Sequence, residues 1–170
     1  YAWWAALQSL LPIVTGGYAD RFGYKRTLGF ALSLMVLGYL MIAFLRDVSF
    51  VSNYWGFFLG IMVLATGTAF FKPSIQGSLA HNLPKEKSSV GWSIFYWIVN
   101  VGAFIGHYLP TIMLSLSASL PGPLHAIANS PAAWRNLFLA SAVFTSFNLL
   151  LLFAVKDVPS GASKTETVLQ

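Results

Sequence analysis

From Trp55 to Ala80 the chain is apolar enough to cross a bilayer, yet it carries one charge, Lys72, followed at once by Pro73. A lysine at the centre of a membrane helix costs about 2.5–3.5 kcal/mol on insertion scales, so it calls for a compensating partner, a cavity or a substrate. At about 3.6 residues per turn, Thr68, Lys72 and Gln76 stack on one face of that helix. Pro73 has no amide hydrogen, so it frees a carbonyl near Ala69 and is expected to bend the helix there. A polar stripe beside a bend suits a water-filled cavity between helices.

Further apolar runs set the fold class. Five spans are marked, at about 1–17, 27–45, 54–80, 90–111 and 134–155, the first looking truncated at its start. Each of the last four approaches or exceeds the roughly 20 residues that cross a hydrocarbon core. No stretch alternates apolar and polar residues as a membrane barrel requires. The expectation is an all-α membrane protein, a polytopic helical bundle. Only 9% of residues are charged, against about 25% in soluble domains.

Helix ends are expected at Arg46-Asp47, at His81-Asn82-Leu83-Pro84 and near Pro110. With five spans, Arg21, Lys25, Arg26, Lys85, Lys87, Lys156 and Lys164 fall on one side and Arg46 and Arg135 on the other. Seven against two places the first set in the cytoplasm. The segment 115–133 is then an external loop, and 158–170 reads as the start of a cytoplasmic linker. The sequence opens on Tyr1 inside an apolar run and is expected to be a piece of a larger membrane protein.

This distribution explains the net charge of +5 without nucleic acid. No cysteine is present, which excludes disulfides and thiolate chemistry. His81, His107 and His125 fall at three depths, so no metal site is expected. Neither a nucleophile elbow, a zinc-protease motif, a phosphate loop nor a pair of intramembrane carboxylates is seen, so no enzyme is expected.

A second polar position lies at the depth of Lys72. Lys72 is nine residues before His81 and Asn100 is ten after Val90, which puts them about 13 and 15 Å from one cytoplasmic turn. On the helix holding Asn100, Ser93, Tyr96, Asn100, Ala103 and His107 lie within about 80° of arc, with Gly91, Gly102 and Gly106 opposite. The glycine face suits close approach of another helix, and the polar face suits a cavity. Structural roles stand beside these: a carboxylate partner for Lys72 on another helix, interhelical bonding by Asn100 and His107, and packing by Tyr96 and Trp97. Snorkelling is a poor fit, because a lysine stem reaches only about 6 Å.

The stretch Gly16-x-x-x-Asp20-Arg21-Phe22-Gly23-Tyr24-Lys25-Arg26 resembles the cytoplasmic signature between the second and third helices of the major facilitator superfamily. The resemblance implies that the spans are about helices two to six, a partial N-terminal six-helix half of that fold. It also implies that Gly16, Asp20, Arg21, Gly23 and Arg26 govern a cytoplasmic gate. Glycines permit a tight turn, and an acid beside helix ends and bases makes charge-assisted contacts.

Two further segments resemble the proton-dependent oligopeptide transporters. They are Gly67-Thr68-Ala69-Phe70-Phe71-Lys72-Pro73 and Phe95-Tyr96-Trp97-Ile98-Val99-Asn100-Val101-Gly102, and Trp134-Arg135-x-x-Phe138 is similar to the start of that family's sixth helix. The likeness implies that Lys72 serves a peptide carboxylate and a proton-coupled acidic partner, that Asn100 lies in the peptide pocket, and that Tyr96 and Gln76 assist. It implies proton-coupled symport by alternating access in the cell membrane, with a proton gradient and no cofactor. The implied partners are lipid, protons, a peptide or other small solute, and the rest of the same chain. Before Asp20 this chain is one residue shorter than the peptide-transporter pattern. A facilitator of another organic anion or drug, or a non-transporting sensor or scaffold bundle, therefore remains an alternative.

Overall fold

The computed structural model describes residues 2–45, 53–118 and 131–154. Five helices make up nearly all of it: α1 (Ala2–Phe22), α2 (Tyr24–Phe44), α3 (Asn53–Asn82), α4 (Ser88–Ala118) and α5 (Pro131–Ala154), with a short 3₁₀ turn at Lys85–Lys87. No strand occurs among the described residues, and the all-α expectation holds. Four stretches are long and apolar enough to cross a membrane: Tyr24–Phe44, Tyr54–Asn82, Lys85–Tyr108 and Trp134–Ala154. The helix α1 carries Gln8, Ser9, Thr15, Asp20 and Arg21 and falls outside that set.

Two expectations about helix ends are corrected. The gap expected between the first two spans is almost absent, because α1 continues to Phe22 and α2 begins at Tyr24. Gly23 alone breaks the helix, at φ 92°, a backbone conformation that costs glycine nothing and other residues dearly. The fourth span does not stop near Pro110 either; α4 runs through it to Ala118. A proline removes one donor without forbidding continuation, and apolar surroundings penalise an unwound backbone more than a missing bond. The end at Asn82, just before Leu83-Pro84, agrees with expectation. Arg46-Asp47, most of the expected external loop and the expected linker lie outside the described residues.

The chain divides into two compact units, Tyr1–Asn82 with Phe138–Gln170, and Leu83–Leu137. In the first unit α2 and α3 run antiparallel, and glycines bring their backbones together. A methyl group added at Gly38 would lie 2.7 Å from the Leu64 nitrogen, one at Gly60 2.9 Å from the Ile42 nitrogen, and one at Gly67 3.0 Å from the Ala31 oxygen. Ala31, whose carbonyl faces Gly67, is buried there. Small residues allow such approach where lipid supplies no hydrophobic drive between helices. The helix α1 lies parallel to α3, joined to it at Gln8–Thr68, Thr15–Ala69 and Tyr18–Phe70. At the far end, Lys25 donates to the Phe153 carbonyl of α5 at 3.5 Å.

The second unit is built on α4. Leu83 packs against Gly91, where an added methyl would come within 2.5 Å of its side chain. Beyond Gly91 the helix presents exposed residues through Tyr108.

Candidate functional site

On α3, Lys72 and Gln76 are exposed and Thr68 is half-buried. The Thr68 hydroxyl lies against the carbonyls of Leu64 and Ala65, at 3.1 and 2.9 Å. It also accepts from the Gln8 side-chain amide of α1. Gln8 is 9% exposed, and its Oε1 has no hydrogen-bond partner among the described residues. Ser74, behind Lys72, is fully buried and bonds its own helix at the Phe70 carbonyl, 2.7 Å away.

The carbonyl expected to be freed by Pro73 is met from α1. Thr15, 2% exposed, donates its hydroxyl to Ala69 O at 2.8 Å. Gly16, beside it, faces the proline ring: a methyl there would sit 3.9 Å from Pro73 Cβ. Neither Gln8 nor Thr15 was singled out by the sequence reading. Both are polar residues in an apolar run, seven apart and so two helical turns apart on one face, and that spacing was the available signal.

On α4, Tyr96 and Asn100 are both exposed. Tyr96 stacks on Trp92, with ring centroids 6.1 Å apart, and meets Phe95 edge-on. Asn100 Nδ2 donates to the Tyr96 carbonyl at 2.8 Å. A carbonyl only accepts, so the atom facing it is the amide nitrogen, and Asn100 turns its oxygen away from that contact. His107 packs edge-on to Tyr108. Within the second unit, an added methyl at Gly102 or Gly106 would meet nothing within 4 Å. Lys72 and Gln76 belong to the first unit, and Tyr96 and Asn100 to the second. The equal depth of Lys72 and Asn100 therefore rests on helix arithmetic alone.

The candidate gate is compact. Asp20 and Arg21 form the last turn of α1, and Arg26 lies in the first turn of α2. Asp20 Oδ1 accepts from the Tyr24 hydroxyl at 2.5 Å. Tyr24 is buried, and its oxygen also approaches His81 Nδ1 of α3 at 3.4 Å. His81 Nδ1 lies 3.0 Å from the Gly77 carbonyl, so that nitrogen carries its hydrogen there. Gly77 makes room for the Tyr24 ring, which a methyl would approach to 2.5 Å. Three helix ends thus meet through Asp20, Tyr24 and His81, a junction the sequence reading did not foresee. The Arg21 guanidinium lies 5.7 Å from the Phe22 ring centroid, and Arg26 is exposed.

Among the described residues no group of three histidine or acidic side chains is placed to hold a metal. No curated protein and no solved structure matches the chain. The family model described as Major Facilitator Superfamily matches residues 1–169. That match spans nearly all of the sequence and agrees with membrane-capable helices and with the signature around Asp20. The chain belongs to the Major Facilitator Superfamily, a family of multi-pass secondary transporters.

Proposed function

We propose that the protein is a proton-coupled symporter of small peptides or similar small solutes, working by alternating access in the cell membrane. The observation that carries this reading is Lys72, an exposed ammonium about 15 Å from the Asn82 end of α3 on a helix apolar enough to span a membrane. At that depth it requires a carboxylate, supplied by the substrate, by a helix elsewhere in the protein, or by each in turn. If the two carboxylates alternate, protonation of the helix carboxylate releases Lys72 to the substrate, and charge balance couples proton to cargo. Asn100, Tyr96 and Gln76 line the same cavity in this reading, and Asp20, Arg21 and Arg26 hold its cytoplasmic gate.

The test is uptake of radiolabelled dialanine by proteoliposomes holding the full-length protein. Lys72→Gln is expected to abolish uptake driven by a proton gradient while sparing some exchange at equal pH, which needs no net proton movement. Full gradient-driven uptake by Lys72→Gln would make Lys72 a structural residue and end the proposal.

A further inference from the structure

We propose that Thr15 is the positioning residue for Lys72, supplying from α1 the hydrogen bond that Pro73 deletes from α3. In an uninterrupted helix the amide of residue 73 would bond the carbonyl of residue 69 and close the turn containing residues 70–72. Pro73 has no such hydrogen, and its ring pushes the facing carbonyl outward. The turn left open is the one holding Lys72. Thr15 closes it: its hydroxyl reaches Ala69 O at 2.8 Å from a site 2% exposed, where water does not compete.

The direction of this bond sets Thr15 apart. Thr66, Ser74 and Thr145 donate to a carbonyl four residues earlier on their own helices, the ordinary local choice for such hydroxyls. Thr15 instead reaches across to the carbonyl left without its donor. Gly16 brings the two helices together there, with its missing side chain facing Pro73. Two turns earlier on α1, Gln8 holds Thr68. Two side chains of α1 thus fix α3 at the two residues that begin the Lys72 turn, and lysine stems on a helix lean back over that turn.

The significance for transport rests on Lys72 being the carboxylate-binding group proposed above, but the bond and its effect on Lys72 can be read without substrate. The full-length protein is treated with N-hydroxysuccinimide acetate, a membrane-permeant amine reagent, and acetylation of Lys72 is followed by peptide mass spectrometry. Lys85 and Lys87 serve as internal references. Thr15→Val keeps the shape and loses the donor; it is expected to change the Lys72 rate about fivefold, the factor one ordinary hydrogen bond is worth. Thr15→Ser restores the wild-type rate. In a Pro73→Ala background the backbone amide returns, and Thr15→Val then has no effect.

A Lys72 rate untouched by Thr15→Val, or an equal effect of Thr15→Val in the Pro73→Ala background, overturns the assignment. Should Thr15→Val fail to fold alone, folding of the double variant with Pro73→Ala supports it and continued failure overturns it. Failure here leaves the proposed symport untouched, whereas undiminished uptake by Lys72→Gln refutes the symport mechanism and leaves the hydrogen bond standing.

Discussion

Tyr24 donates its hydroxyl to the carboxylate of Asp20 at 2.5 Å, across the single non-helical residue between α1 and α2. The phenol is buried and the acid exposed. A buried donor therefore holds an exposed carboxylate at the junction of α1 and α2. Charge-assisted bonds of this kind are worth about 1.5–3 kcal/mol.

Asp20→Asn is expected to slow dialanine turnover about tenfold or more, the factor that bond energy implies, while the KM stays nearly constant. Tyr24→Phe keeps the ring against Gly77 and should slow turnover in the same way, with little further loss in the double variant. Initial rates over a range of dialanine concentrations separate the two parameters. A higher KM at unchanged turnover would remove Asp20 from the gate.

The glycine contacts predict opposite outcomes for one substitution. Gly38→Ala drives a methyl to 2.7 Å from the Leu64 backbone, and backbone cannot swing aside. It should destabilise the protein by about 1–3 kcal/mol, the usual range for overpacking. Gly29→Ala meets only the end of the Leu152 side chain, at 3.4 Å. It should be neutral or stabilising, since alanine is favoured over glycine in a helix by about 1 kcal/mol. Melting in detergent reports both, and equal losses would contradict the packing described.

Asn100 gives one amide hydrogen to the Tyr96 carbonyl, so under the proposed function it can offer a substrate its oxygen and its second amide hydrogen. Asn100→Ala should weaken dialanine binding about tenfold, the factor one good hydrogen bond supplies. Whatever transport remains should still depend on the proton gradient. Competition binding and uptake with and without a gradient check the two statements separately.

Topology is tested with single cysteines. Introduced at Lys87 and at Asn136, both exposed, they face opposite sides of the membrane by the distribution of lysine and arginine. An impermeant thiol reagent applied to intact cells should label the Asn136 position and spare the Lys87 position. The reverse pattern would invert the orientation.

What the sequence made legible follows from how local each signal was. The fold class was readable because uninterrupted apolar runs have few alternatives, and the end of α3 was readable because His81-Asn82-Leu83-Pro84 marks it locally. The freed Ala69 carbonyl was foreseen from Pro73, since that consequence is covalent. Its partner was not, because Thr15 is 54 residues away and only packing of α1 on α3 brings it there. The Asp20–Tyr24–His81 junction was hidden for the same reason. Pro110 misled because a proline is read as a stop, while an apolar helix loses less by carrying on through it. Close approach was sought at Gly102 and Gly106. Within the first unit it occurs at Gly38, Gly56, Gly60 and Gly67, and Gly56-x-x-x-Gly60 carried the same small-residue spacing.

The α2–α3 seam has a mechanical consequence. At Gly38 the closest neighbour is the Leu64 backbone itself, so little lies between to let one helix slide past the other. The pair is a girder whose stiffness comes from the absence of bulk, which favours the two helices moving together. In the proposed transport cycle, a motion begun at Lys72 on α3 would be passed to the Tyr24 end of α2 as leverage.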